Sequence, residues 1–202
     1  MDGTLLDTEG PARAAFAKAI VEVGFEFDAV VYDRCLGTTL AETQEILVAA
    51  YGKGLDTEGL QRAWTANFFV IRESAPIELR PGIAEVLQRL QQLDIAMAVA
   101  TSNQREICES SLRDCGIRLY FAHLVCVEDV RNPKPAPDPY LLAAAKLGKQ
   151  SADCWALEDS DIGTRAAVES GMRTLRIPDA RRPTEPGLAS GPQVLARARD
   201  VL

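Results

Sequence analysis

The sequence predicts an α/β fold: a doubly wound parallel sheet with an inserted segment of helices. Two observations carry this prediction. After Pro81 and Gly82, apolar strand-like runs alternate with helical patterns, which is typical of repeated β-α-β units. From Pro11 to about Ala75, by contrast, the apolar residues recur mainly at helical spacing.

Three helices are predicted in the segment from Pro11 to Ala75. The first has Pro11 in its opening turn and places Ala15, Ala19 and Ile20 near one face. The second opens with the capping-box spacing of Thr39-Leu-Ala-Glu42 and continues to Tyr51. The third is capped by Asp56 or Thr57 and continues to Ile71.

The remaining elements alternate along the second part of the chain. The continuous apolar run 95–100 is typical of a strand that is covered on both faces of a parallel sheet. Gly116 supplies a left-handed end to the helix that follows. The predicted order is helix around 86–90, strand 95–100, helix 105–115, strand 124–127, helix 139–147, strand 154–157, helix 161–170 and strand 174–177, with a loop over 178–192.

Composition excludes several classes of function. The 202 residues include 29 acidic and 22 basic side chains, a net charge of −7 that argues against nucleic-acid binding. The single histidine, His123, excludes a zinc site built on two histidines. Five cysteines without a CxxC pair indicate thiols in a reducing compartment. No membrane span or signal segment is evident, so we expect a cytoplasmic protein.

Two short segments carry candidate chemistry near the start of the chain and after the first long apolar run. Residues 1–8 contain an Asp-Gly turn, which is as consistent with a simple turn as with a functional loop. Thr101, Ser102 and Asn103 follow the run 95–100, where ligands bind in open parallel sheets. Their hydroxyl and backbone N–H groups suit an anion site, although an ordinary helix N-cap has the same residues.

Two further segments follow. Lys134 lies among four prolines in residues 133–139, so a stiff loop would hold its charge opposite a phosphate or carboxylate. A plain surface lysine is the alternative. Glu158 and Asp159 come at the end of a predicted strand, where adjacent carboxylates can hold a hard cation such as Mg²⁺. Asp159 or Ser160 can also cap the next helix, and that role does not exclude the metal.

The order and spacing of these four segments resemble a known motif series. DGT-x-x-D, strand-TSN, KPxPD and strand-EDSxxG are similar to the motifs of haloacid dehalogenase-like (HAD) hydrolases. The likeness is to the branch with β-phosphoglucomutase, phosphoglycolate phosphatase and small sugar-phosphate phosphatases. It covers essentially the whole chain and implies a Rossmannoid core of residues 1–10 and 79–202, with residues 11–78 as a helical cap.

The resemblance also implies roles for individual residues. Asp2 matches the aspartate that protonates the leaving oxygen and later activates water. Thr101 matches the hydroxyl residue that binds the transferring phosphoryl group, and Lys134 the lysine that offsets negative charge. Glu158 and Asp159 match the acids that bind the Mg²⁺ cofactor, together with Asp2. The expected substrate-binding residues are Thr8, Arg34, Gly37, Thr38, Ser102 and Asn103.

One position of the first motif has no counterpart in the sequence. The nucleophilic aspartate of the family stands two residues before Asp2, and that place precedes Met1. The strand that leads to it in the family precedes Met1 as well. Two explanations are open: a coding start placed too late, or a chain that is catalytically crippled and has an exposed sheet edge.

The resemblance implies a Mg²⁺-dependent phosphatase that hydrolyses a small phosphomonoester, such as a sugar phosphate or a phosphoglycolate-like molecule. Sugar-phosphate mutases of this branch carry an arginine and a histidine in the cap where Leu40 and Ala12 stand here. The mutase is therefore the alternative, and a pseudo-phosphatase without turnover is another. We expect a monomer whose partner is the small substrate, with no nucleic acid and no membrane.

Overall fold

The computed structural model describes residues 1–36, 38, 40–74, 77–177 and 193–194. The chain divides into two units, one of Met1–Asp7 with Glu78–Leu202 and the other of Thr8–Ile77. We call the first the core unit and the second the helical unit. The predicted loop 178–192 lies outside the described residues. Within the described part of the chain, no helix has the length and apolar character that crossing a membrane requires.

The helical unit consists of α1 (Glu9–Glu22), α2 (Ala29–Cys35), α3 (Leu40–Tyr51) and α4 (Thr57–Ser74). Its centre is a cluster of buried apolar and aromatic side chains that includes Phe16, Ile20, Tyr32, Leu47 and Leu60. Trp64 packs edge-on against Phe16, with the ring centres 5.0 Å apart. The apolar residues that recur at helical spacing in this segment thus form the core of the helical unit.

The predicted helices of this unit differ from the observed ones mainly at their ends. α1 begins at Glu9, two residues before Pro11. α4 begins at Thr57, and the Asp56 carboxylate accepts a hydrogen bond of 2.9 Å from Gly59 N–H, as a capping residue does. The short helix α2 was not predicted, because seven residues are too few to show a clear period. The Thr39 cap lies outside the described residues.

The core unit alternates helices and strands, and its strands pair in parallel. This confirms the α/β fold class. The elements in chain order are α5 (Ile83–Gln92), β1 (Ala98–Ala100), α6 (Arg105–Asp114), β2 (His123–Val125), α7 (Asp138–Lys146), β3 (Trp155–Glu158), α8 (Asp161–Glu169), β4 (Arg173–Arg176) and β5 (Gln193–Val194).

The parallel ladders of the described residues fall into two groups, β1–β2 and β3–β4–β5. Val99 lies opposite Leu124 in the first group, and Leu157 lies opposite Leu175 in the second. The strand predicted over 95–100 is wrong in its first half, because β1 begins at Ala98 and Ile95 remains 48% exposed. The apolar run alone therefore did not predict how many of its residues pair with a neighbouring strand.

The helical unit is inserted between two segments that lie side by side in the core unit. Asp7 N–H donates to the Glu78 carbonyl oxygen at 2.9 Å, and Leu6 forms an antiparallel bridge with Leu79. The chain thus leaves and re-enters the core unit at adjacent points.

Candidate active site

The Asp-Gly turn at the start of the chain packs directly on the acidic segment after β3. Met1 O accepts hydrogen bonds from the N–H groups of Leu5 and Leu6, which closes the turn. Gly3 has a φ of +65°, and a Cβ there would lie 2.2 Å from Asp159 Oδ2, so only glycine fits. Thr4 Oγ1 donates to Asp159 Oδ1 at 2.6 Å. The first and fourth predicted segments therefore form one site.

The segment after β1 joins the same site through Asp2. Asn103 Nδ2 donates to Asp2 Oδ2 at 2.6 Å. Thr101 is 4% exposed, and its backbone N–H continues the ladder to Val125 O, so the end of β1 holds it in place. Its Oγ1 accepts from Asn103 N–H at 3.2 Å, whereas Ser102 is exposed. Asp2 and Asn103 are thus in direct contact beside the strand end.

Lys134 links the carboxyl ends of β1 and β3. Its Nζ donates to Ala100 O at 3.0 Å, to the Tyr140 hydroxyl at 3.2 Å and to Glu158 Oε1. The ammonium also lies 4.8 Å from the centre of the Tyr140 ring, within the range of a cation–π contact. Both charged side chains are almost fully buried, with 7% of Lys134 and 4% of Glu158 exposed.

The pKa values of the two acidic neighbours shift in opposite directions. Burial works to raise the pKa of Glu158, but the charge of Lys134 overcomes it and holds that pKa below its usual range. Burial, together with the negative charge of Glu158, raises the pKa of Asp159 to about 6. Glu158 is therefore ionised and paired with Lys134. When Asp159 is ionised as well, the site carries negative charge that a cation can offset.

These residues fit Mg²⁺, which binds proteins through one or two carboxylates and takes its other oxygens from water and substrate phosphate. In the described ranges, no group of three or more His, Cys, Asp and Glu side chains is arranged to enclose a metal ion. Asp159 offers a carboxylate beside the Asp2 turn, and Glu158 adds charge although its Oε1 is shared by Lys134 and Tyr140. The site thus suits a cation held by few protein oxygens.

Four predicted substrate-binding residues belong to the helical unit. Thr8 is buried and Arg34 is exposed. The hydroxyl of Thr38 donates to Cys35 O at 2.8 Å and lies 2.7 Å from that of Thr43, so it has partners within its own unit. Gly37 lies outside the described residues. Their roles stay predictions.

Sequence reasoning missed three residues that hold the site together. Tyr140 is buried on α7, and its hydroxyl donates to Glu158 Oε1, but the sequence predicted only a helix over 139–147. Arg80 donates to Gly3 O and, at 3.4 Å, to Ile177 O, and no sequence signal points to it. Thr4 could have been found, since it belongs to the DGT motif.

Comparison with protein families matches residues 1–177 to the haloacid dehalogenase-like hydrolase family. The chain belongs to this family. This confirms the predicted superfamily, and the match covers all the residues just described in the core unit. The match alone does not assign a role to any of them.

Individual proteins and solved structures are also similar to this chain. The fructose-1-phosphate phosphatase YqaB of Escherichia coli is 29% identical, over 88% of this chain and 93% of its own length. The protein CbbY of Cereibacter sphaeroides is 32% identical, over 88% of this chain and 81% of its own. A crystal structure of a CbbY mutant from Rhodobacter sphaeroides with xylulose-(1,5)bisphosphate has a TM-score of 0.80 and 29% identity, covering 99% of this chain and 92% of that one.

Proposed function

We propose that this protein is a Mg²⁺-dependent phosphatase that hydrolyses a small sugar phosphate. The observation that carries the proposal is the meeting of all four motif segments in the core unit: Asp2 contacts Asn103, Thr4 contacts Asp159, and Lys134 pairs with Glu158. The phosphatase names of its relatives support the reaction class, and their sugar-phosphate ligands support the substrate class.

Thr101, Asn103 and Lys134 would bind and orient the phosphoryl group. Positioning and electrostatic stabilisation provide most of the catalysis in phosphoryl transfer, and these residues are held by strand ends and buried contacts. Mg²⁺, when bound beside Asp159, would supply further positive charge. A fixed site of this kind lowers the barrier because its charges do not have to reorganise during the reaction.

Asp2 would transfer protons. In the proposed reaction, a carboxylate just before Met1 attacks phosphorus while the bond to the sugar oxygen breaks, and Asp2 protonates that oxygen. Water then attacks the phosphorus of the acyl phosphate, Asp2 takes a proton from the water, and inorganic phosphate leaves as the carboxylate is restored. General acid–base catalysis of this type contributes typically ~10²–10⁴-fold.

The helical unit would serve as the cap that selects the substrate, with Thr8, Arg34, Gly37 and Thr38 as binding residues. We propose a phosphatase over a mutase because Leu40 and Ala12 stand where mutases of this branch carry their cap arginine and histidine. A phosphatase that transfers phosphate to water does not need a second phosphate site in the cap.

The test compares two proteins in Mg²⁺-dependent hydrolysis of p-nitrophenyl phosphate. One is the chain from Met1, and the other is lengthened by a strand that places an aspartate immediately before Met1. We expect hydrolysis by the lengthened protein and not by the other. Replacing the added aspartate by asparagine should abolish it.

A panel of phosphorylated sugars, including fructose 1-phosphate, then identifies the substrate class. If neither protein hydrolyses any of these substrates, the result would contradict the phosphatase and favour a pseudo-phosphatase. Activity that requires a bisphosphorylated sugar and yields an isomer instead of phosphate would favour the mutase.

A further inference from the structure

A buried ion pair lies at one end of residues 158–161, which we call the acidic segment. Arg176 is the last residue of β4, and Asp161 is the first residue of α8. The Arg176 guanidinium group donates from Nη1 to Asp161 Oδ1. Only 2% of the Arg176 side chain and 21% of the Asp161 side chain are exposed. The pair is therefore largely shielded from solvent.

Burial of the Arg176 side chain is unfavourable in free energy. Its neighbours in sequence, Leu175 and Ile177, are apolar and buried, as is usual for a covered strand. The Nε atom of Arg176 is buried and has no hydrogen-bond partner among the described residues. Buried ion pairs often stabilise a fold no more than apolar residues of similar volume do, because both charges lose their hydration. Stability alone therefore does not account for the pair.

The end of β4 holds the acidic segment at both of its ends. At the first end, Glu158 lies opposite Arg176 in the parallel ladder, and Ile177 N–H donates to Glu158 O at 2.7 Å. At the other end, the Arg176 side chain holds Asp161. Asp159 lies between these two anchors. Two consecutive residues of one strand end thus bracket the carboxylate that we expect to bind the cation.

The contacts within the acidic segment are weaker than these anchors. Asp159 N–H donates to Glu158 Oε2 at 3.3 Å, and the Ser160 hydroxyl donates to the same oxygen at 3.4 Å. Both distances exceed the ~2.9 Å of a typical hydrogen bond. The segment therefore depends on contacts from outside it for its position.

The start of α8 packs tightly against the end of β3. A Cβ at Gly163 would lie 2.2 Å from Glu158 Oε2, so the first turn of α8 cannot move closer to this carboxylate. Movement in the opposite direction would carry Asp161 with it, together with the adjoining Asp159. The ion pair opposes that movement, because it ties α8 to Arg176 on β4.

We propose that Arg176 is a positioning residue for Asp159. It acts through Asp161: the ion pair fixes the start of α8 and so keeps the Asp159 carboxylate beside Thr4, where we expect Mg²⁺. Arg176 contacts neither the ion nor the substrate in this role. The proposal rests on the proposed function, because it concerns the carboxylate that holds the cation.

The test compares Arg176→Met with a control and with a double variant. Arg176→Met removes the charge and keeps most of the side-chain length. Arg173→Met, which alters an exposed arginine at the start of the same strand, is the matched control. The double variant adds Asp161→Asn, so no buried carboxylate is left without its cation, and stability lost in the single variant should recover. Each is made in the chain and in the lengthened protein described above.

Mg²⁺ affinity is measured by calorimetric titration, and the free energy of unfolding by urea in EDTA. We expect Arg176→Met to weaken Mg²⁺ binding at least about tenfold, as the loss of a partner that orients a metal-binding carboxylate commonly does. Arg173→Met should leave the affinity unchanged. In the double variant, unfolding free energy should recover while Mg²⁺ binding stays weak.

Hydrogen exchange in EDTA reports the acidic segment without the metal. In the double variant, the backbone amides of Asp159 and Gly163 should exchange faster than in the unsubstituted chain, because the segment and the first turn of α8 are released. The amide of Ala122, which donates to Met97 O at 2.9 Å elsewhere in the core unit, should keep its rate.

Three results would overturn the positioning role. The first is unchanged Mg²⁺ affinity in Arg176→Met. The second is recovery of Mg²⁺ affinity together with stability in the double variant, which would assign the ion pair a structural role only. The third is an unchanged exchange rate at Asp159 and Gly163 in the double variant.

The positioning role and the proposed function fail in different ways. If the lengthened protein binds Mg²⁺ but hydrolyses no phosphorylated substrate, the phosphatase is contradicted, and a weaker affinity in Arg176→Met still supports the positioning role. If the lengthened protein is a phosphatase and Arg176→Met leaves its Mg²⁺ affinity unchanged, only the positioning role is wrong. Absence of Mg²⁺ binding by both unsubstituted proteins at millimolar concentration would overturn the positioning role together with the cofactor.

Discussion

The raised pKa of Asp159 predicts that replacing this carboxylate stabilises the metal-free protein. Its pKa is about 6, against an ordinary value of 3.8, because Asp159 is buried beside the negative charge of Glu158. The folded state therefore favours protonated Asp159. Its stabilising contribution is complete below about pH 4 and is lost as the pH rises through 6.

The size of the effect follows from the two pKa values. At about 1.4 kcal/mol for each pKa unit, the difference between 3.8 and about 6 lowers the free energy of unfolding by about 3 kcal/mol at neutral pH. Since Asp159 keeps part of its surface exposed, this figure is an upper limit. Asp159→Asn removes the charge and keeps an oxygen that can accept the Thr4 hydrogen bond.

The assay is urea unfolding in EDTA at about pH 4, 5, 6 and 7.5, followed by tryptophan emission, to which Trp155 of the core unit contributes. We expect Asp159→Asn to exceed the parent protein by about 2 to 3 kcal/mol at pH 7.5 and to match it at pH 4. Added Mg²⁺ should stabilise the parent and not the variant, because binding to the folded state shifts unfolding by mass action. Asp153→Asn, which alters an exposed carboxylate of the same unit, is the control. An equal gain in both variants, or a gain that does not change with pH, would refute the reasoning.

Three further predictions concern side chains with defined partners. Lys134→Met leaves the buried Glu158 charge unpaired and should lower the free energy of unfolding by about 3 to 5 kcal/mol. Adding Glu158→Gln to the same chain should recover part of this loss. No recovery in urea unfolding would contradict the pairing of the two residues. Tyr32→Phe removes a buried hydroxyl that has no hydrogen-bond partner among the described residues. Calorimetric melting should therefore show no loss of stability. A loss above about 1 kcal/mol would indicate that the hydroxyl has a partner. Ser160→Ala removes the side-chain acceptor of Gly163 N–H at the start of α8 and should cost about 1 kcal/mol, whereas Ser160→Thr, which keeps the hydroxyl, should restore most of it in the same assay.

Sequence patterns predicted the elements more reliably than their connections. Helical spacing identified α1, α3 and α4, and alternation after Gly82 identified the order of the core unit, because both patterns arise from local geometry. The partner of each strand was not predicted, because apolar runs such as 95–100 carry no information about the strands with which they pair.

Some residues of the candidate site were likewise predicted from the sequence, and others were not. Asp2, Lys134 and Asp159 were found because motif spacing identified them, and the structure brings their segments together. Tyr140 was missed because its hydroxyl contacts Lys134 and Glu158, and such contacts form only in the folded chain. An apolar helix position gives no sign that its side chain also holds an ion pair.

The side-by-side attachment of the helical unit makes it separable in principle from the core unit. Because Asp7 and Glu78 are hydrogen-bonded neighbours, a two- or three-residue turn could replace everything between them without lengthening the path of the core chain. Insertions of very different size and shape can therefore begin and end at this same point with little change in loop-closure entropy. The helical unit can therefore be exchanged while the strand ends that hold Thr101 and Glu158 stay where they are.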